Sequence, residues 1–348
     1  MAEVVANGVR LHVQRLMPPR GPRPDAPVVV MLHGMVIDNL ASFYFSLGNA
    51  LADAGCEVVC YDLRGHGKSE RTPSGYGIAT AMGDLSALLD ELAIDRPVHL
   101  VGNSYGATLG LTYGVEFPER VASLTLIEPP FRIEGLGEEM ARSLTQVLAA
   151  ISDEEVEEWL TYSAGRAVGR IMRSAQSLLR DTTIAEDMLA TEPFSPDRLR
   201  ALPVPVLAVY GGNSEIIGQG EGLAQLVPDC TLVVLERHTH MVLREAVDYL
   251  RELLRWWLLR RDEPTPQYVH NGGKKFELAD WVLSRTVPAD LNAERRAAAD
   301  QEAAGPQGAS AATPVAAGAT SAAPGAGVPA GSAEPIWEVR SGASSGER

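Results

Sequence analysis

The stretch Val101-Gly102-Asn103-Ser104-Tyr105-Gly106 constrains this chain more than any other. An apolar run of strand type, His99-Leu100-Val101, precedes it, and Ala107-Thr108-Leu109-Gly110-Leu111 can open a helix. Gly102 and Gly106 lack a Cβ, so a strand and a helix can close on each other there. Ser104 would then sit at the tip of a sharp turn with its hydroxyl exposed. Small residues gather in many surface loops, so the motif draws its meaning from the chain around it.

That chain alternates. Residues 2–16 read as a hairpin turning at Asn7-Gly8. Val28 to Leu32 is a continuous apolar run, the pattern of a strand buried on both faces, and it ends at His33-Gly34-Met35. A helix is expected over 43–54, a strand over 57–61 and a helix over 78–92, where Leu85, Leu88, Leu89 and Leu92 keep helical spacing. After the Ser104 stretch a strand is expected over 122–127, ending at Glu128-Pro129-Pro130. From 131 to about 202 the strand signal gives way to helical patterns, over 144–151, 156–162 and 171–179. Strands resume at 204–210 and 231–235, with helices near 222–226 and over 243–259. The expectation is an α/β fold, with a mostly parallel central sheet, helices on both faces and a helical insertion over the strand ends.

The chain has 348 residues, a net charge of −15 and 45% hydrophobic residues. It is long enough for a large single domain, and its acidity argues against nucleic acid or an anionic membrane as partner. No signal segment or apolar run of membrane-spanning length is visible, and a cytoplasmic location is expected. The three cysteines, Cys56, Cys60 and Cys230, fit neither a metal-ligand set nor a disulfide framework and read as small core residues. Past residue 261 the pattern decays, with one helix expected around 279–284. Residues 305–333 are almost only Ala, Gly, Pro, Ser and Thr, a composition that predicts disorder.

A serine hydroxyl needs a base within hydrogen-bond reach and a third group to orient that base. Ser104 is followed by Glu215 after one late strand and His240 after the last, both where a parallel sheet places ligands. The sequence therefore resembles an α/β-hydrolase of the esterase, lipase and C–C hydrolase type. His33-Gly34, Asp62-x-Arg64-Gly65-x-Gly67-x-Ser69, Gly102-x-Ser104-x-Gly106, Gly212-x-x-Glu215 and His240 with Glu245 occur in that family's order over residues 25–260. The resemblance implies a hydrolase domain over 1–261 with a lid at about 131–202, a C-terminal extension over 262–304 and a low-complexity tail over 305–348.

The resemblance makes Ser104 the nucleophile and His240 the base, with His238 as the competing histidine. It places the acid at Glu215, where the family usually has Asp. Glu128 is the rival, because some relatives carry the acid on the earlier strand, and Asn213 is a weaker candidate. The backbone N–H groups of Met35 and Tyr105 would form the oxyanion hole, with His33 shaping its turn. His12, His66, His99 and His270 are read as structural or solvated. No metal or organic cofactor is implied.

The leading expectation is a hydrolase of a carboxylic ester, thioester or lactone, acting on a small-molecule substrate of apolar acyl or polyketide-like type. Met140, Leu144, Trp159 and Met172 are the candidate pocket liners. Arg166, Arg170 and Arg173 share a helical face and read as a solvated face, or as a greeting for a substrate anion. One alternative keeps the triad for C–C cleavage, acyl transfer or cyclisation of a natural product. Another is a non-catalytic, hydrolase-like binding protein. Oligomeric state is left open by the sequence.

Overall fold

The computed structural model describes residues 2–21, 23, 25–151, 166–260, 268–271, 274–277 and 284–287. The chain opens with the antiparallel strands β1 (Ala2–Ala6) and β2 (Val9–Leu16). Asn7 and Gly8 between them have φ of 49° and 76°, the left-handed pair that a two-residue hairpin turn needs. The strands β3 (Val28–Leu32), β4 (Glu57–Tyr61), β5 (Val98–Asn103), β6 (Val121–Ile127), β7 (Val206–Gly211) and β8 (Cys230–Leu235) run parallel. Beyond them, β9 (Tyr268–Asn271) pairs with β10 (Lys274–Glu277), and β11 (Ser284–Val287) adds antiparallel to β8. The main sheet has the order β1-β2-β4-β3-β5-β6-β7-β8-β11. β3 is flanked by β4 on one side and β5 on the other, so the strand order reverses there and leaves a crevice at the carboxyl ends.

The strand period divides the core in two. Val28, Val30 and Leu32 of β3 feed one apolar cluster, and Val29 and Met31 feed the other. The first cluster is covered by α1 (Ile78–Glu91) and α2 (Tyr105–Glu116). Between β6 and β7 the described chain is helical, with α3 (Leu136–Ile151), α4 (Arg166–Asp181) and α5 (Ile184–Leu189). α6 (Ile217–Leu226) joins β7 to β8, and α7 (Val247–Leu259) covers the second cluster. All three cysteines are buried.

Three expected helices differ. The segment over 43–54 is broken by a π-helical turn at Tyr44–Gly48, between Ala41–Phe43 and Asn49–Asp53. There the Ser46 hydroxyl donates back to the Ser42 carbonyl, and Gly48 packs close to Leu16 and Cys60. The helix over 243–259 is interrupted at Ala246, whose φ of −125° is not helical. The helix expected over 279–284 falls outside the described residues except at Ser284, which opens β11 instead. The expectations over 156–162 and 305–348 lie outside the described residues. No helix among the described residues is long and apolar enough to cross a membrane.

Candidate active site

β5 delivers Ser104 to a turn in which its φ is 51°, a strained value for a residue with a side chain. The turn closes because a Cβ on Gly106 would strike the backbone of Leu32 and His33, and one on Gly102 would strike Gly106 and Ala107. Both positions require glycine. The Ser104 N–H donates to the Ile127 carbonyl at 2.8 Å, which registers the turn on the end of β6.

The loop after β8 carries His240 to that turn. Nε2 of His240 lies 3.3 Å from the Ser104 hydroxyl, and its Nδ1 lies 2.9 Å from Oε2 of Glu128. Glu128 is fully buried at the end of β6, with φ of 53°. Its Oε1 accepts the Gly211 N–H at 2.5 Å, and its Oε2 also accepts the Ser214 hydroxyl at 2.7 Å. Nδ1 of His240 therefore carries the proton, and Nε2 is free to accept one from serine. Burial alone would lower the His240 pKa. The hydrogen bond and charge of Glu128, with the charge of Glu215 nearby, outweigh burial and raise it.

The acid position is thus a correction to the sequence reading. Glu128, not Glu215, meets the imidazole. β6 pairs directly with β5, so a carboxylate at its end is one strand nearer to Ser104 than one after β7. Glu215 is exposed and makes no hydrogen bond or ion pair among the described residues. Asn213 is also exposed, and its N–H donates to the His238 carbonyl at 2.9 Å. His238 is half-buried, with no partner at Nδ1, and the hydrogen bond to Ser104 belongs to His240. Glu245 braces the same loop, accepting the Thr239 N–H and hydroxyl, each at 2.8 Å.

The loop after β3 supplies the other wall. His33 is fully buried, with Nε2 accepting the Leu63 N–H at 2.9 Å and Nδ1 donating to the Gly34 carbonyl at 2.6 Å. The Gly34 N–H donates to Asp38 at 2.8 Å. Buried Asp62 pins the surrounding loops by accepting Leu40 N–H, Lys68 N–H and His12 Nδ1 within 2.9 Å. Gly67 must be glycine, because a Cβ there would overlap the Asp62 carboxylate. Met35 and Tyr105 line the same cavity as Ser104, and neither N–H has a protein acceptor among the described residues.

That cavity measures about 420 Å³. Met35, Val36, Tyr105, Pro130, Met140, Leu144, Val147, Met188 and Ile216 make most of its wall apolar. Its acidic lining residues are Glu139 and Glu215. Glu139 is neutralised by Arg132 at 2.7 Å and Arg142 at 2.8 Å. Met172 packs against the core rather than lining this cavity, and Trp159 lies outside the described residues. Arg170 and Arg173 are exposed and do not line it, and the Arg166 side chain lies outside the described residues. No group of His, Cys, Asp and Glu among the described residues is arranged to hold a metal ion.

A sequence model of the family described as alpha/beta hydrolase fold matches residues 27–247. The provisionally named carbamate hydrolase RutD of Variovorax paradoxus is 27% identical over 246 residues, covering 66% of this chain and 91% of its own. The 2-hydroxy-6-oxo-6-phenylhexa-2,4-dienoate hydrolase of Comamonas testosteroni is 25% identical over 260 residues, covering 66% of this chain and 89% of its own. Among solved structures, the carboxylesterase CesB from Bacillus subtilis superposes with a TM-score of 0.60 at 19% identity, over 74% of this chain and 90% of the other.

Proposed function

The chain belongs to the α/β-hydrolase fold family, and on that premise we propose that it is a serine hydrolase cleaving a carboxylic ester, thioester or lactone. The observation that carries the reading is the unbroken line from the Ser104 hydroxyl through His240 to Glu128, at 3.3 Å and 2.9 Å. His240 takes the serine proton as Ser104 Oγ attacks the carbonyl carbon. Glu128 holds the imidazole in the required tautomer and balances its charge. The Met35 and Tyr105 N–H groups receive the oxyanion. As the tetrahedral intermediate collapses, His240 returns the proton to the leaving oxygen or sulfur. Water then attacks the acyl-serine while His240 takes its proton, and His240 returns that proton to Ser104 Oγ as the Oγ–acyl bond breaks and the acid leaves. Helices α3 to α5 act as the lid, and the apolar wall selects an apolar acyl group.

The same line of residues serves C–C cleavage, and one relative is named for a dienoate. A dienoate carries a carboxylate into the site. Unpaired Glu215 opposes it, and no Lys or Arg side chain lines the cavity among the described residues. Ester, thioester or lactone cleavage is therefore the better-supported reading.

The test is a panel of p-nitrophenyl esters of increasing chain length. Wild type turns over at least one, and Ser104→Ala loses at least roughly a hundredfold. Wild type inert on every ester, yet active on a vinylogous diketone, would favour C–C cleavage. A folded protein inert on both and unlabelled by a fluorophosphonate would favour a binding role.

A further inference from the structure

The backbone on either side of the Met35 N–H is tied down. Gly34 donates its N–H to Asp38 and accepts His33 at its carbonyl. The Met35 carbonyl accepts the Ile37 N–H at 2.9 Å. That bond spans two residues and closes a γ-turn centred on Val36, whose φ is 68°. The Val36 N–H donates to Nε2 of His66 at 2.8 Å. Of the three N–H groups from Gly34 to Val36, the one left over is that of Met35, beside the cavity.

A γ-turn with positive φ is strained, and a β-branched residue is among the worst at its centre. Such a conformation persists only where its surroundings hold it. The hold here is His66, itself 3% exposed and placed by the loop after β4. Its Nδ1 donates to the Arg64 carbonyl at 2.9 Å, which leaves Nε2 as an acceptor. Burial, then the neighbouring His33, bring its pKa down to about 3. The ring therefore stays neutral, and able to accept, wherever His240 can act as a base.

We propose that His66 is a positioning residue for the reaction, holding the γ-turn at Val36 so that the Met35 N–H stays aimed at the oxyanion. The inference rests on the hydrolase reading above. His66 never touches substrate. It acts through one backbone bond on the peptide next to the donor. Without an acceptor the buried Val36 N–H is unsatisfied, the valine relaxes toward negative φ, and the Met35–Val36 peptide turns with it, shifting Met35 and the aim of its N–H.

The test compares His66→Leu, which removes the acceptor, with His66→Gln, whose amide oxygen can replace it. Each is also made in a Val36→Gly background, because glycine takes positive φ without strain. On the best p-nitrophenyl ester, His66→Leu should lower kcat roughly thirtyfold with KM changed less than about twofold. Inhibition by a trifluoromethyl ketone, which forms the oxyanion on Ser104, should weaken by a similar factor. His66→Gln should recover most of the loss, and the cost of His66→Leu should shrink at least roughly fivefold in the Val36→Gly background. A variant that loses only thermal stability, with kcat and ketone affinity kept, overturns the proposal. So does an equal cost in both backgrounds. If His66→Leu does not fold, the Gln variant and the glycine-background pair still decide. A wild type inert on all esters would instead refute the hydrolase reading, an outcome distinct from any of these.

Discussion

Oε2 of Glu128 lies 2.9 Å from Nδ1 of His240, across a sequence separation of 112 residues. The same carboxylate takes the Gly211 N–H and the Ser214 hydroxyl, so it is satisfied by three donors while fully buried. Glutamate at the end of β6 thus occupies the place beside the imidazole where the resemblance put a residue after β7.

Exchanging the two glutamates for their amides separates their roles. Glu128→Gln should lower kcat/KM by roughly a thousandfold or more, because the amide can present an N–H to Nδ1 and force the wrong tautomer. Glu215→Gln should change it by less than about threefold on neutral esters. Steady-state kinetics on one ester decide, and the reverse ranking would return the acid to Glu215.

The pH profile follows from the raised pKa of His240. The base works only when neutral, so kcat/KM should fall as pH drops through a value above the ordinary 6.5. Replacing Glu215 by Gln removes a charge that favours the imidazolium, so the acid limb should move to lower pH. Linkage gives the companion effect on stability. With the folded pKa above the unfolded one, the His240–Glu128 pair stabilises fully below about pH 6.5 and loses this as pH rises through the folded value. Thermal melts of wild type and His240→Gln across this range should converge at high pH.

Gly211 is where β7 meets the histidine loop, and a Cβ there would run into the His238 and Thr239 carbonyls. Gly211→Ala should push that loop outward, lengthening the bond from His240 to Ser104. Activity should drop at least roughly tenfold, with a measurable fall in Tm. Wild-type kcat in this variant would show that the loop tolerates the shift.

Bracing of the loop by Glu245 is separable from chemistry. Glu245→Ala removes both bonds to Thr239 and should lower kcat by several-fold, while Glu245→Gln, which still accepts, should recover part of it. Equal loss in both variants would mean that the charge, rather than the bracing, matters.

The thiols provide a check on the core. Burial pushes Cys56 up to about 11, and burial with the Asp62 charge pushes Cys60 up to about 12. Ellman's reagent at pH 8 should leave the native protein unlabelled and react with three thiols after unfolding. Rapid labelling of the native protein would contradict the packing of β4.

Much of the frame is legible in the residues because its signals are local. Asn7-Gly8 marks the hairpin, continuous apolar runs mark the parallel strands, and the two glycines around Ser104 mark the turn. Glu128 and Glu215 look alike in sequence, each a carboxylate just past a strand. What distinguishes them is a left-handed backbone at Glu128 and the reach across Gly211, and neither leaves a local trace. His66 escapes for the same reason, since its partner is 30 residues away. The π-helical turn depends on how Gly48 meets Leu16 and Cys60, a contact no helical periodicity encodes.

Ser104 hangs its amide on β6, Glu128 hangs its own on Val209 of β7, and Gly212 hangs on Leu235 of β8. Each rung continues the ladder one step past its strand, like hooks on consecutive slats. Ser104 and Glu128 are therefore spaced by the sheet, His240 reaches them from the loop that leaves β8, and α3, α4 and α5 contribute none of the three. Exchanging the helical segment between β6 and β7 would therefore alter the wall that Met140, Leu144 and Met188 give the cavity while the three residues beneath kept their spacing.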